Sequence, residues 1–249
     1  MGALDGKIAW VTGGGGGIGE AGARSMAEAG AHVVLTGRRA EELERVKAEI
    51  EGAGGKAEVL TLDVTDREAV EAAAAELGER LGGVDILLAN AGMNIPNRDT
   101  GSLTNADFAK VMDVNVNGVM YGVMAVLPQM RAKNGGLVMM VSSWAGRHAS
   151  KLTGPAYNAS KHAVVALSHS INQEEAVNGV RSCVIMPGEV NTPIMEKRPV
   201  PPPQEVRAKM LQPEDMGRLI RFVAESPAHV CLNEILISPT HNRLFVSAG

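Results

Sequence analysis

The fold is decided by the stretch Val11-Thr12-Gly13-Gly14-Gly15-Gly16-Gly17-Ile18-Gly19-Glu20. It joins an apolar run at residues 7–11 to a helix-like run at 18–29, and a second apolar run follows at 31–36. Five consecutive glycines lack a Cβ, so the backbone can adopt positive φ and a flat ligand group can approach the main chain. The glycines alone would also suit a flexible surface loop. The flanking runs instead favour a βαβ unit whose helix N-terminus faces a pyrophosphate.

Composition predicts one α/β domain. The chain has 249 residues, 45% of them hydrophobic and only 3% aromatic, which favours a core of small aliphatic side chains between buried parallel strands. We expect a doubly wound parallel sheet of about seven strands with helices on both faces. The strands are predicted at 7–11, 31–36, 57–62, 84–89, 137–141, 182–186 and 234–237, with helices at 18–29, 40–53, 67–81 and 105–133, around Tyr157, and from about Pro213. The span 105–133 is either one long helix or two abutting helices.

Charge and cysteine usage exclude several classes of partner. The 24 basic and 28 acidic residues leave a net charge of −4 without a basic stripe, so no nucleic-acid partner is expected. Cys183 and Cys231 lack Cys-x-x-Cys spacing and lie in or beside apolar runs, so we predict free buried thiols, no metal site and a reducing cytoplasm. No secretory leader precedes the first strand, and no apolar run approaches the roughly 18 residues of a membrane span. A cytoplasmic location without a membrane partner is therefore expected.

Tyr157 and Lys161 form a candidate reaction centre. They are four residues apart and lie on one face of a helix, one turn from each other. A neighbouring ammonium favours the phenolate and lowers the tyrosine pKa from about 10. Ser143, Asn90 and the pair Pro187-Gly188 each follow a predicted strand, and ligands bind at the carboxyl ends of strands in an open α/β sheet. This convergence favours catalysis.

The spacing T-G-x-x-x-G-I-G from Thr12 to Gly19, together with Tyr157-x-x-x-Lys161, resembles the short-chain dehydrogenase/reductase family over nearly the whole chain. The resemblance implies a single-domain Rossmann sheet at residues 1–249 and a catalytic tetrad of Asn115, Ser143, Tyr157 and Lys161. In that scheme Ser143 holds the substrate oxygen, Tyr157 exchanges the proton, and Lys161 with Asn115 relays it toward solvent.

Two members of the implied tetrad raise structural questions. Ser143 lies fourteen residues before Tyr157, one more than is usual, so the loop carries an extra residue or Ser142 shares the role. The Ala145-Gly146 that follows favours Ser143. Asn115 lies on an apolar helix face, where a buried amide without partners would cost about 1–3 kcal/mol. A local kink bonded to a neighbour would satisfy it.

The resemblance also implies the cofactor contacts. Asn90 is retained although Ala89 replaces the asparagine that usually precedes it. Asp63 is placed beside the adenine ring, but it could instead cap the helix that begins at Arg67. The implied cofactor-binding residues are Gly13, Gly17, Ile18, Gly19, Arg38, Arg39, Asp63, Val64, Asn90, Ala91, Gly92, Tyr157, Lys161, Pro187, Gly188, Val190 and Thr192.

Gly37-Arg38-Arg39 bears on which cofactor binds. Two arginines at a helix N-terminus oppose its dipole, so they are either a solvated pair or the partners of an anion. Enzymes of this fold that prefer NAD usually have an acidic residue here, whereas an arginine accommodates a 2′-phosphate. Gly37 supplies no carboxylate. We therefore expect NADP(H) to be preferred over NAD(H).

The sequence predicts an NADP(H)-dependent oxidoreductase that interconverts a secondary alcohol and a ketone or aldehyde. A non-catalytic NADP(H)-binding regulatory protein, or a dehydratase or epimerase with transient hydride transfer, are the alternatives. A substrate flap is expected at about 190–212, with residues 193–203 outside the core, and Glu189 either binds a substrate hydroxyl or amine or faces solvent. The resemblance implies a homotetramer or homodimer through the helices near Asp107 and Pro155, with an outer face formed by Met120, Met124, Val164 and Leu167.

Overall fold

A computed structural model describes residues 2–198 and 200–242, except for the side chain of Lys197. Within these residues, seven strands form one sheet in which every pairing is parallel, in the order β3-β2-β1-β4-β5-β6-β7. The strands are β1 Ile8–Thr12, β2 His32–Gly37, β3 Lys56–Thr61, β4 Ile86–Ala89, β5 Gly136–Val141, β6 Val180–Pro187 and β7 Glu234–Ile237. The predicted doubly wound sheet is confirmed, with strand ends within two residues of the expected positions. The strand order reverses between β1 and β4, which is where ligands bind in such sheets.

Helices cover both faces of the sheet. They are α1 Gly17–Glu28, α2 Ala40–Gly52, α3 Arg67–Leu81, α4 Asn105–Met112, α5 Gly118–Ala132, α6 Pro155–Glu175, α7 Gln204–Arg207 and α8 Pro213–Glu225. One core contains apolar side chains of α1, α2 and α8, and the other contains those of α3, α5 and α6. Successive strand residues point to opposite faces, so Val11 enters the first core and Trp10 the second. The indole of Trp10 donates to Thr36 Oγ1 at 2.7 Å, which satisfies its buried N–H.

The predicted span 105–133 is a helix interrupted by one π-helical turn. The turn comprises Asp113–Asn117 and joins α4 to α5. By length and composition alone, Asn105–Ala132 could cross a membrane, with a mean hydropathy of 1.2 over 18 residues. This finding departs from the expectation that no apolar stretch approaches such a length. In the fold, Val119, Val123 and Val126 of this span are buried against the sheet, as in the core helix of a globular domain.

Two burial predictions were wrong. Cys183 is buried, but Cys231 is exposed because it lies in the loop that precedes β7. Val164 was expected on an outer helix face, yet it is fully buried in the core beneath α6, and Leu167 packs against the same core. Of that predicted outer face, Met124 is the clearly exposed member, with 62% of its surface accessible.

The segment at 190–212, which we call the flap, is attached to the body of the protein at both ends. Val190 and Leu211 form a parallel bridge. A 3-10 turn at Pro193–Lys197 and α7 lie between them. Residues 193–203 were expected to contribute nothing to a core, but the side chain of Met195 is buried, as are those of Met210 and Leu211.

Candidate active site

The glycine turn between β1 and α1 is held closed by Asn90. The Asn90 Nδ2 donates to the carbonyls of Thr12 and Gly13 at 3.1 and 3.2 Å, and Thr12 Oγ1 accepts from the Asn90 and Ala91 amides, each at 3.1 Å. Gly13 has a φ of 67°. A Cβ on Gly19 would lie 2.3 Å from the Gly13 carbonyl oxygen. Glycine is therefore required where the helix and the turn meet.

The N-terminal end of α1 fits a dinucleotide phosphate. No side chain caps this helix at Gly16, and Gly17 has a φ of 57°. A Cβ on Gly16 would meet only Arg39, whose Nη2 would lie 4.0 Å away. An uncapped helix N-terminus beside a guanidinium attracts an anion. Ile18 packs partly against the core behind this turn.

Arg38 and Arg39 lie at the start of α2 with most of their side-chain surface exposed, 71% and 73%. Arg38 Nη1 is 3.7 Å from Asp63 Oδ2. Arg39 Nη1 is 4.0 Å from a carboxylate oxygen of Glu42. The Arg39 guanidinium thus borders the glycine turn and the Arg38 guanidinium lies beside Asp63, and both remain accessible to an anionic group of a ligand.

Asp63 does not cap α3. The cap is Asp66, which accepts a hydrogen bond from the Ala69 amide at 3.0 Å. Asp63 Oδ1 instead accepts from the amide and hydroxyl of Thr65. Burial opposes ionisation of Asp63, but the Thr65 hydrogen bonds and Arg38 outweigh it and lower the pKa of this carboxyl.

Val64, the next residue, is buried against α5. A Cβ on Gly118 would lie 2.8 Å from a methyl carbon of Val64. The side chain therefore forms part of the wall beneath the carboxyl end of β3, next to the position predicted for the adenine ring.

Asn115 lies in the π-helical turn and is fully buried. Its Oδ1 accepts from the Met93 amide at 2.8 Å, while its Nδ2 donates to the Met93 carbonyl at 2.9 Å and to Ser160 Oγ at 3.0 Å. Ser160 in turn donates to the Tyr157 carbonyl. The expected local distortion thus satisfies the amide and ties the segment after β4 to α6.

The two serines after β5 have different environments. Ser142 is buried, and its hydroxyl donates to the Lys161 carbonyl at 2.7 Å, so it fastens α6 to the strand. Ser143 Oγ accepts from the Ala145 amide at 3.1 Å. The Ser143 side chain also lies close enough to Tyr157 to oppose, by hydrogen bonding, the rise in the pKa of that phenol. This geometry favours Ser143 over Ser142 as the residue that would contact a substrate oxygen.

Lys161 is buried on the same face of α6 as Tyr157. Its Nζ lies 5.6 Å from the centre of the Tyr157 ring and donates to the Val141 carbonyl at 2.9 Å. A Cβ on Gly92 would lie 3.4 Å from both Lys161 Nζ and Asn115 Oδ1, so the turn after β4 closes over these two groups. Burial lowers the pKa of Lys161 to about 8.

The sequence-based expectation that Lys161 lowers the Tyr157 pKa is not met in this structure. Burial of Tyr157 disfavours the phenolate and raises its pKa, which outweighs the opposing hydrogen bond from Ser143 and the positive charges of Arg98 and Arg198. Lys161 directs its ammonium to the Val141 carbonyl rather than to the phenol oxygen. Desolvation thus favours the uncharged form of both groups, because it raises the pKa of Tyr157 and lowers the pKa of Lys161.

The end of β6 supplies the opposite wall of the crevice. Gly188 packs closely on the segment after β7, where a Cβ would lie 3.1 Å from Pro239. Val190 and Thr192 are buried, and a Cβ on Gly17 would lie 3.1 Å from Thr192 Cγ2. Thr192 therefore lies beside the glycine turn, and Pro187, Gly188 and Val190 precede it at the carboxyl end of β6. Their contact with a cofactor stays a prediction.

Glu189 does not simply face solvent. Its Oε1 is 2.6 Å from Arg198 Nη1, and the two side chains are 20% and 14% exposed. Arg98 and Arg198 affect Tyr157 electrostatically, although sequence reasoning singled out neither. Both lie in loops of irregular structure, 100 residues apart, so no local pattern could have paired them. Ser160 was missed as well, because a serine in a helix carries no distinguishing signal.

Replacing Lys161 by methionine is expected to stabilise the ligand-free protein by about 1–2 kcal/mol at pH 7. Lys161 has a pKa of about 8 in the folded protein and an ordinary pKa of 10.5, so burying its ammonium lowers the free energy of unfolding by about 3 kcal/mol. The methionine variant regains this stability but loses the hydrogen bond to the Val141 carbonyl, which is worth about 1 kcal/mol. Below pH 8 Lys161 is protonated in both the folded and the unfolded chain, so the full loss of folding stability is present. Between pH 8 and 10.5 Lys161 stays protonated only in the unfolded chain, so this loss declines as the pH rises.

Urea unfolding at pH 7 and pH 10 measures this effect. The gain should be largest at pH 7 and small at pH 10. Lys110→Met is the matched control, because Lys110 lies exposed on α4 and its replacement should leave both free energies of unfolding nearly unchanged. A Lys161→Met protein that is less stable than the parent at pH 7 would contradict a desolvated ammonium at this position.

Comparisons with known proteins agree with this architecture. A family model described as short chain dehydrogenase matches residues 7–201. The chain is 36% identical over 243 residues to the glycine betaine reductase ATRR of Emericella nidulans, covering 96% of this chain but only 19% of that protein. It is 34% identical over 236 residues to an uncharacterized oxidoreductase of Staphylococcus aureus strain MW2, covering 95% and 98% of the two chains.

A solved structure extends the agreement to three dimensions. The alcohol dehydrogenase of Thermococcus sibiricus, complexed with 5-hydroxy-NADP, superposes with a TM-score of 0.85 at 29% identity, covering 95% of this chain and 98% of that one. The family model covers residues 7–201, which include the glycine turn and the helix that carries Tyr157 and Lys161. The chain therefore belongs to the short-chain dehydrogenase/reductase family of oxidoreductases.

Proposed function

We propose that this protein is an NADP(H)-dependent oxidoreductase that interconverts a secondary alcohol and a ketone or aldehyde. The observation that carries the proposal is the convergence of Ser143, Tyr157 and Lys161 at one point of the crevice that begins at the glycine turn. A protein that only bound a nucleotide would not need the hydroxyls of Ser143 and Tyr157 next to the buried amine of Lys161.

The proposed chemistry assigns a separate task to each side chain. The nicotinamide supplies the hydride when it is bound. The Ser143 hydroxyl positions the carbonyl oxygen, and Tyr157 donates a proton to it. Lys161, with its pKa near 8, exchanges a proton close to neutral pH from a position 5.6 Å from the centre of the Tyr157 ring. Asn115 is a positioning residue here, because it holds the Met93 segment and Ser160.

The residues that would hold the cofactor support the NADP(H) assignment. Gly13, Gly17 and Gly19 allow the main chain to come close to a pyrophosphate, and Arg38 and Arg39 provide accessible guanidiniums at the end of β2. A guanidinium forms paired hydrogen bonds to phosphate oxygens, which suits a ribose 2′-phosphate.

A screen of carbonyl compounds and alcohols with NADPH, NADH and their oxidised forms tests the proposal. Reduction of a ketone or aldehyde with stoichiometric loss of nicotinamide absorbance is the expected result. Tight cofactor binding without turnover of any compound would favour a regulatory protein. Conversion without net consumption of NADPH would favour a dehydratase or epimerase.

We also propose a homodimer or homotetramer. Phe108 on α4 and Met124 on α5 remain exposed, although large apolar side chains are costly to leave in water. Light scattering at micromolar concentration should give a mass of two or four times 26.1 kDa. A mass of one chain would contradict the proposal, and Met124→Glu should shift an oligomer toward smaller species.

A further inference from the structure

Arg98 is fixed beside the N-terminus of α6. Its Nε donates to the Ile95 carbonyl at 2.6 Å, and its Nη1 donates to the Leu152 carbonyl at 3.3 Å. A Cβ on Gly154 would lie only 2.4 Å from the Arg98 carbonyl oxygen, so the loop after β4 lies directly on the residue that precedes α6. Tyr157 follows three residues later. Two carbonyls and this close packing therefore hold the guanidinium in place near the proposed proton donor.

The positive charge of Arg98 is not neutralised within the described part of the chain. Among residues 2–198 and 200–242, no carboxylate lies within 4 Å of its guanidinium in an ion pair. Burial lowers the pKa of Arg98, and the positive charge of Arg198 lowers it further. A desolvated cation that faces a second cation is costly unless an anion joins them.

Arg198 lies on the flap and is the second arginine whose charge acts on Tyr157. Its Nη1 forms the 2.6 Å ion pair with Glu189 Oε1, and both side chains are mostly buried. Glu189, which pairs with Arg198, follows the carboxyl end of β6, the strand that pairs with β5 beside Ser143. Arg98 packs on Gly154, three residues before Tyr157. Both arginines therefore lie at the end of the sheet that holds the proposed site, and their charges act on the Tyr157 phenol. The two arginines and Glu189 together carry one net positive charge.

We propose that Arg98 and Arg198 bind a carboxylate of the substrate, so that the protein acts on an oxo acid or hydroxy acid whose carbonyl or alcohol carbon faces Tyr157. This inference rests on the proposed function, because it names the substrate class of the same site. A single negative charge matches the net charge of the three side chains better than a dianionic phosphate monoester. The planar guanidinium also matches a carboxylate through paired hydrogen bonds.

Binding of matched acids and esters tests the inference without turnover. The probes are 4-oxopentanoate, 5-oxohexanoate and benzoylformate, each with its methyl ester, titrated by calorimetry into Tyr157→Phe protein saturated with NADPH. At least one acid should bind about tenfold or more tightly than its ester, as expected of a charge-assisted contact. Adding Arg98→Gln or Arg198→Gln should reduce that ratio to near one.

Two controls separate charge from structure. Arg80→Gln removes an exposed arginine of α3 that pairs with Glu58, far from the site, and should leave the acid-to-ester ratio unchanged. Arg98→Lys keeps the charge and should retain part of the preference. NADPH affinity should be unaltered in the Arg98 variants, which excludes a collapsed crevice as the cause.

The outcomes distinguish failure of this inference from failure of the proposed function. Esters that bind as tightly as every acid, or a preference that survives in both glutamine variants, would overturn the inference even if the parent protein reduces the compounds. A larger preference for dihydroxyacetone phosphate over dihydroxyacetone would overturn the monocarboxylate assignment. Acid-selective binding without reduction of any acid by the parent protein would support the anion site and count against the oxidoreductase proposal.

Discussion

Replacing Tyr157 by phenylalanine is expected to lower turnover by a factor of about 100 or more, because the change removes only the hydroxyl that exchanges the proton. The fold and the cofactor dissociation constant should be retained. The change keeps the ring, whose centre lies 5.6 Å from Lys161 Nζ, and removes only a hydroxyl that interacts with Ser143. The measurement is kcat with the best substrate from the screen, alongside thermal unfolding.

The chain supplies its own matched control for this experiment. Tyr121 is the second of two tyrosines and lies on α5, where it packs against the core away from the site. Tyr121→Phe should leave kcat within about twofold of the parent, since a hydroxyl distant from the reacting atoms contributes no proton transfer. Near-normal turnover by Tyr157→Phe would contradict proton donation by Tyr157, whatever the effect of Tyr121→Phe.

NADPH is expected to bind at least tenfold more tightly than NADH, and Arg38→Ala should remove most of that difference. A charge-assisted contact is worth roughly 1.5–3 kcal/mol, or about 10- to 150-fold in affinity. The accessible Arg38 guanidinium is 3.7 Å from Asp63, so binding a 2′-phosphate would require it to exchange or share this exposed partner. Arg39, beside Gly16, adds positive potential at the glycine turn.

Fluorescence titration of both reduced cofactors measures this preference without a substrate. Arg80→Ala serves as the control, because it removes one arginine of equal charge from the far end of α3 and should leave the ratio of dissociation constants unchanged. Equal affinities in the parent protein, or tighter binding of NADH, would falsify the assignment. Loss of affinity for both cofactors in Arg38→Ala would indicate a general phosphate contact instead of 2′-phosphate recognition.

Local signals in the sequence were sufficient for the architecture. The alternation of apolar runs and helical periodicity gave all seven strands, since burial on both faces of a parallel sheet requires continuous apolar residues. The glycine turn could be recognised because its function needs successive residues without Cβ. The four-residue spacing of Tyr157 and Lys161 placed both on one helix face before any tertiary contact was known.

Burial of individual side chains was less predictable. Val164 and Cys231 each lie in segments whose apolar character alone did not show which side faces the core. Ser142 and Ser143 are adjacent in sequence, yet one is fastened to the Lys161 carbonyl and the other faces Tyr157. Such differences depend on which neighbouring element covers each side chain, and that is fixed only when the helices pack on the sheet.

The sequence by itself thus determined the sheet, the glycine turn and the positions of Tyr157 and Lys161, because these follow from interactions within a few residues. Only the tertiary structure decided the direction of the Tyr157 pKa and let the charges of Arg98 and Arg198, 100 residues apart, act on the same phenol. Desolvation and Coulomb interactions depend on every atom that surrounds a charge, whatever its distance along the chain. They become defined only once the loops after β4 and β6 have taken their places in the folded chain.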